Sequence, residues 1–379
     1  MPDLVAIDLP GGTPFVEAIS SAWDDGNAIA PLDQRLAPLA RQRLLDMLRP
    51  ALVVSHRGTE RRPGSVPVEP GDAVVVATSA STGAPKGVVL THEAVAASAR
   101  ATSARLEVDP ATHRWLACLP LNHIGGLSVV TRALLTGTPL TVLDGFDAGQ
   151  VSAESADNVL VSLVPTALAR VQAAWFYKIV LGGSAPPSSL PSNVVTTYGM
   201  TETGSGVVYD GWPLDGVQVS ISGGGEVLLR GPMLLRAYRD GTVPLDQEGW
   251  FATGDAGAID VSGRLQISGR LSDLIITGGE NVWPAAIERI LCQHPAVAEV
   301  AVSSKPDPEW GERIVACVVP SVPSAPPDLV DLRAMVAQQF AAFAAPKELV
   351  ILEALPKTSI GKVRRQALRE QLSHIPGPL

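Results

Sequence analysis

The segment Thr78-Ser79-Ala80-Ser81-Thr82-Gly83-Ala84-Pro85-Lys86-Gly87-Val88 concentrates hydroxyls, glycines and a single lysine. Hydroxyls and glycine N–H groups wrap phosphate oxygens, and a lysine neutralises them. The segment follows an aliphatic run and reads as preceding a helix. It is not a Walker A loop, because G-x-x-x-x-G-K-[ST] is absent. Taken alone it has two readings, an anion-binding loop or a small-residue turn with an exposed lysine. The density of hydroxyls and the Pro-Lys-Gly ending favour the first. Other chemistry-bearing groups are scattered: Glu202 in Tyr198-Gly199-Met200-Thr201-Glu202-Thr203, Asp255 in Gly249-Trp250-Phe251-Ala252-Thr253-Gly254-Asp255, Arg270 after Ser268-Gly269, and Lys362 in Leu355-Pro356-Lys357-Thr358-Ser359-Ile360-Gly361-Lys362. Each by itself is equally a strand end, a turn residue or part of a solvated basic run.

The elements that would hold these groups follow from composition and pattern. The 379 residues are 46% hydrophobic and only 4% aromatic. The core is therefore mostly Ala, Val, Leu and Ile, which suits buried parallel strands. Aliphatic runs at 73–78, 115–119, 140–143, 159–164, 178–181 and 194–197 alternate with helical stretches such as 92–105 and 166–174, a pattern expected of a parallel α/β sheet. Residues 1–70 are Pro- and Gly-punctuated, with a helical stretch near 36–48. Residues 216–268 read as short strands joined by glycine turns, a small barrel-like β subdomain. A smaller α+β unit over 274–379 opens a helix at Pro284. The expected organisation is a large N-terminal domain, 1–269, with its α/β core at 72–210, a hinge at 270–273, and a mobile C-terminal domain, 274–379.

The net charge of −9 gives no overall field to attract nucleic acid or anionic membrane. No apolar stretch reaches the roughly 20 residues a membrane helix needs, and residues 1–13 show no basic run followed by an apolar one, so export is not expected. Cys118, Cys292 and Cys317 form no zinc or disulfide pattern. A cytoplasmic protein with reduced thiols is expected, without a nucleic-acid partner, and a homodimer is compatible with all of this.

In order along the chain, these motifs resemble the adenylate-forming family of acyl-CoA synthetases, adenylation domains and luciferases. That family's phosphate loop reads [ST]-S-G-[ST]-T-G-x-P-K-G, and this chain departs from it only at Ala80. The resemblance spans about residues 72–365. It implies a two-step reaction with ATP, Mg²⁺ and coenzyme A. It implies that Thr78, Ser79, Ser81, Thr82, Gly83 and Lys86 grip phosphate, that Gly182, Gly183 and Ser184 lie along adenine, and that Tyr198 stacks on it, with Gly199 also in the nucleotide site. Thr201 then binds the α-phosphate and Glu202 holds Mg²⁺. Asp255 takes the ribose hydroxyls, Arg270 reaches ribose and phosphate, and Lys362 is the catalytic lysine. Past the hinge, Gly278, Gly279 and Glu280 match a loop that lines the pantetheine tunnel of CoA ligases once the C-terminal domain has rotated. The usual hinge residue, Asp or Lys, falls here on Ser272, with Asp273 next.

The acid is addressed by fewer residues. His123, in Leu119-Pro120-Leu121-Asn122-His123-Ile124-Gly125-Gly126-Leu127, matches the residue beside the acyl carboxylate, and Thr166 is carried over as a substrate residue. Arg132, within VVTRALL, reads either as an exposed helix residue or as the anchor for a second carboxylate. Few residues precede the phosphate loop, so much of the family's N-terminal subdomain is expected to be missing. This compactness resembles the o-succinylbenzoate–CoA ligases of actinobacterial menaquinone biosynthesis, which act on a diacid. A CoA ligase for another acid, an enzyme loading a carrier protein, and a non-catalytic nucleotide-binding paralogue are the other readings.

Overall fold

The computed structural model describes residues 1–78, 86–187, 189–357 and 363–375. The chain divides into two compact units. The first comprises residues 1–220, 228–252 and 261–265, and the second residues 221–227, 253–260 and 266–379.

In the first unit, two seven-stranded sheets carry the core. One arises largely from the Pro- and Gly-punctuated N-terminal stretch. Strands Leu4–Asp8, Ala28–Pro31, Leu52–Ser55 and Asp72–Thr78 run parallel, and Lys86–Thr91 returns antiparallel along the last of them. Leu4, Ala6, Ala28, Ala30, Leu45 and Leu48 bury one face of this sheet under helix Pro38–Leu48. The aliphatic run at 73–78 therefore belongs to a different sheet from the runs that follow it.

The second sheet carries the later runs. Strands Arg114–Ala117, Leu140–Val142, Val159–Leu163, Lys178–Leu181 and Val194–Met200 are parallel to their neighbours, and Ser205–Tyr209 turns back antiparallel to the last. Val159, Leu160 and Val161 are completely buried, as expected of a parallel strand covered on both faces. Helices His92–Arg105 and Ile124–Thr136 pack against each other and against this sheet.

The second unit is built on a five-stranded sheet in which Val297–Asp307 and Gly311–Pro320 form a long antiparallel pair and Glu348–Ile351 adds in parallel. Side chains of a strand alternate between faces. Ile314, Ala316 and Val318 enter one core with helices Pro284–Leu291 and Leu329–Ala337. Val315 and Cys317 enter another with Leu368 and Leu372 of helix Arg365–Ser373. Strands Phe251–Ile259 and Leu265–Arg270 are neighbours in a four-stranded sheet with Gln218–Ile221 and Glu226–Arg230. No helix among the described residues is long and apolar enough to cross a membrane.

Candidate active site

Parallel strands end at the same edge of their sheet, and in open α/β sheets the crevice beyond their carboxyl ends is where ligands bind. Four strands of the second sheet empty into predicted site residues. Arg114–Ala117 leads to His123, which stands at the N-cap of helix Ile124–Thr136. Val159–Leu163 leads to exposed Thr166, Lys178–Leu181 to Gly182, Gly183 and Ser184, and Val194–Met200 carries Tyr198 and Gly199 into Thr201 and Glu202. The glycines answer to close approaches. A Cβ on Gly199 would lie 2.1 Å from the Ser205 carbonyl oxygen at a β-bulge, and one on Gly126 would lie 2.5 Å from the Leu119 and Pro120 carbonyl oxygens. Thr203 closes the turn after Glu202: its hydroxyl takes the Met200 N–H at 2.9 Å and donates to Ser205 O at 2.6 Å.

The phosphate segment is not placed between a strand and a helix, as its sequence suggests. Thr78 pairs directly with Lys86, and Lys86–Thr91 is a strand before helix His92–Arg105 begins. Val88, Val89 and Leu90 are buried in this strand, which the sequence reading did not place between the segment and the helix at 92–105. Thr78 and Lys86 thus stand at the base of a hairpin. Ser79, Ala80, Ser81, Thr82 and Gly83 lie outside the described residues.

Lys86 reaches Tyr238, with Nζ 4.7 Å from the ring centroid, and the Tyr238 hydroxyl donates to Glu202 Oε1 at 3.2 Å. Burial, followed by the charge of Glu202, pushes the Tyr238 phenol well above its ordinary range, so it stays a protonated donor. Sequence reading missed Tyr238, which comes from the short strand Ala237–Tyr238. No group of three or more His, Cys, Asp or Glu side chains suited to a metal occurs among the described residues. Glu202 as a lone carboxylate fits Mg²⁺, which commonly takes one or two carboxylates and completes its shell with phosphate oxygens and water.

Arg132 is not an exposed helix residue: only 2% of it is accessible. Its guanidinium lies 4.7 Å from the Trp115 ring centroid, and Nη2 donates to Ser205 Oγ at 3.3 Å. Ser205 Oγ in turn lies 3.4 Å from Ser128 Oγ. Nε and Nη1 are buried without an acceptor among the described residues, and Arg132 forms no ion pair there. Burial pushes its pKa down. A buried cation with open donors is costly, so its position, next to a serine three residues beyond Glu202, points to an anionic ligand. Ser128, Ser205 and Trp115 were not singled out in the sequence. The available signal was that Arg132 is the only charged residue in Ile124–Thr136, a helix apolar on nearly all sides.

In the second unit, Asp255 is buried and bonded to Arg270, Nε to Oδ1 at 2.9 Å, while Arg270 Nη1 donates to Thr253 O at 2.8 Å. Both are strand residues. Gly278 and Gly279 are the two central residues of a hairpin turn in which Thr277 pairs with Glu280. Their φ values of 61° and 83° fit the type I′ turn that twisted hairpins favour. A Cβ on Gly278 would meet Trp310 at 2.9 Å, so this turn is also backed by an indole. Ser272 and Asp273 lie in a short 3₁₀ turn, tied to helix Arg365–Ser373. Arg369 donates to Ser272 O at 3.0 Å, and Asp273 pairs with Arg365 at 3.2 Å and with Arg369 at 3.3 Å. Lys362 lies outside the described residues. Of the described residues on either side of it, Lys357 and Val363 form an antiparallel bridge.

The pattern described as AMP-binding enzyme matches residues 55–239, and that of the AMP-binding enzyme C-terminal domain matches residues 286–362. A probable 2-succinylbenzoate–CoA ligase of Mycobacterium tuberculosis is 38% identical over 363 residues, covering 87% of this chain and 93% of that protein. The 2-succinylbenzoate–CoA ligase of Listeria monocytogenes is 35% identical over 332 residues, 79% of this chain and 70% of its own. Among solved structures, the o-succinylbenzoate CoA synthetase of Bacillus subtilis, in complex with its acyl-adenylate intermediate, superimposes with a TM-score of 0.86 at 27% identity, over 100% of this chain and 89% of that one. The fold, the clustering of motif residues at the strand ends and these matches agree: the chain belongs to the AMP-binding enzyme family of adenylate-forming ligases.

Proposed function

We propose that this chain is an ATP-dependent ligase that activates o-succinylbenzoate as its acyl-adenylate and transfers it to coenzyme A, a step of menaquinone biosynthesis carried out in the cytoplasm. The observation that carries the choice of acid is Arg132, a buried guanidinium with two open donors beside Ser205. A diacid offers one carboxylate for activation and another for such a cation. Here the ring carboxylate would be held by Arg132 and the aliphatic one presented to ATP, with His123 and Thr166 beside it. The curated relatives are named for the same acid, and the Bacillus subtilis enzyme has been solved with ATP and magnesium as well as with the adenylate.

In the first half-reaction the aliphatic carboxylate attacks the α-phosphorus in line, and pyrophosphate leaves. Holding the two reactants aligned lowers the entropic part of the barrier. Thr201 and the 78–86 segment meet the developing negative charge, as does Lys362 by the family resemblance. Glu202 would hold Mg²⁺, which would neutralise the triphosphate when bound. Tyr198, Gly199 and Gly182 to Ser184 receive the adenine, and Asp255 with Arg270 the ribose. In the second half-reaction the thiolate of coenzyme A, entering past Gly278, Gly279 and Glu280, attacks the acyl carbon, and the acyl–oxygen bond to phosphate breaks to release AMP. The hinge for this exchange is read at Ser272 and Asp273.

The test is a panel of carboxylic acids with ATP and free coenzyme A, following pyrophosphate and thioester. The highest kcat/KM is expected for o-succinylbenzoate. A higher value for an acid without the ring carboxylate would overturn the assignment, and adenylation without thioester would move the acceptor to a carrier protein.

A further inference from the structure

Lys86 and Glu202 carry opposite charges and converge on one phenol, yet neither forms an ion pair among the described residues. A direct Lys86–Glu202 pair would occupy both groups that a metal–nucleotide complex needs, and it would have to be broken on each turnover. Tyr238 stands where it meets both: its ring faces the Lys86 ammonium and its hydroxyl holds Glu202 Oε1, with Oε2 uncommitted among the described residues.

The backbone fixes that phenol from two directions. Ala237–Tyr238 pairs antiparallel with Val88 and Val89, so Lys86, two residues before Val88, lies diagonally across from Tyr238 on the same face. Upstream, the Leu235 N–H donates to Glu202 O at 2.8 Å. Between them, Arg236 is clamped to buried Asp72 by bonds of 2.8 and 2.9 Å. The strand that carries the phenol is therefore bonded to both the lysine's strand and the glutamate's turn.

We propose that Tyr238 is a positioning residue for the adenylation step: it keeps the Glu202 carboxylate turned with one oxygen open to a divalent cation and keeps Lys86 from closing onto it. This rests on the reading of Glu202 as the Mg²⁺ carboxylate and Lys86 as a phosphate lysine.

The experiment compares Tyr238→Phe with Glu202→Gln and with the double variant. Acid-dependent pyrophosphate release is titrated with free Mg²⁺ at fixed ATP, and Mn²⁺ binding to the ATP complex is measured directly, well below the melting temperature. Phenylalanine keeps the ring under Lys86 and removes only the hydroxyl. The half-saturating Mg²⁺ concentration and the Mn²⁺ dissociation constant are each expected to rise about tenfold, the worth of one hydrogen bond to a charged group, with the KM for the acid unchanged. In the double variant no further rise beyond Glu202→Gln is expected, because the phenol acts through that carboxylate. A Tyr238→Phe enzyme with wild-type metal dependence, beside a Glu202→Gln enzyme that has lost it, overturns the role of Tyr238 and leaves that of Glu202 standing. Unchanged metal dependence in Glu202→Gln overturns the underlying reading, and this inference with it.

Discussion

Replacing Arg132 by methionine separates recognition from stability, because opposing terms act on stability and only one acts on recognition. The guanidinium is buried, lacks a counter-carboxylate among the described residues and leaves Nε and Nη1 open. Substituting a buried ion by an apolar side chain of similar length is often neutral or stabilising, by about 1–4 kcal/mol in favourable cases. Against that, methionine loses the cation's contact with Trp115 and its bond to Ser205, each worth about 1 kcal/mol. The unfolding free energy of Arg132→Met is therefore expected to stay within about 2 kcal/mol of the parent, in either direction. Recognition has only one direction. Losing one hydrogen bond between a cation and a carboxylate removes about 1.5–3 kcal/mol, a drop of about 10–150-fold in kcat/KM for the diacid. The assay is pyrophosphate release with o-succinylbenzoate and with 4-oxo-4-phenylbutanoate, which lacks the ring carboxylate. The preference for the diacid should collapse in the variant while the mono-acid rate holds. A variant that is strongly destabilised and loses both acids equally would refute the reasoning and make Arg132 a packing residue.

Lys362→Ala is expected to abolish most acid-dependent pyrophosphate release while sparing thioester formation from synthetic adenylate; equal loss in both would remove its assigned role. Gly278→Ala places a Cβ at φ 61° and 2.9 Å from Trp310. It should lower stability by about 1–2 kcal/mol in thermal unfolding and slow thioester formation more than adenylation. Burial pushes the thiols of Cys118 and Cys317 up to about 12, whereas Cys292 is exposed. A thiol reagent at pH 8 should therefore modify Cys292 alone in the folded protein and the other two only after denaturation, as read by mass spectrometry.

What the sequence made legible was chemistry held in short contiguous runs. Tyr198 to Glu202, Gly182 to Ser184 and Gly278 to Glu280 could be picked out because one turn must carry all their atoms, and the parallel runs at 159–164 and 178–181 because burial on both faces erases alternation. Partnerships between distant segments were hidden. Tyr238 and Glu202 are 36 residues apart and meet only because their backbones are cross-bonded. The strand Lys86–Thr91 was obscured by its Lys-Gly start and by the helix that begins at the next residue. The strands before residue 70 are as short as four residues, and the turns between them dominate the composition. Arg132 misled for a related reason: charge in a helix usually marks the solvent face, and only the absence of any other charge nearby signalled burial.

The alternation of residues 314 to 318 between two cores has a consequence for how the second unit opens. Each layer of apolar packing grips the same backbone, so neither can melt while the strand stays paired in the other. The amides of Gly311–Pro320 should exchange with solvent only through the largest opening this unit undergoes, and the helices on its two faces should share that rate rather than fray separately.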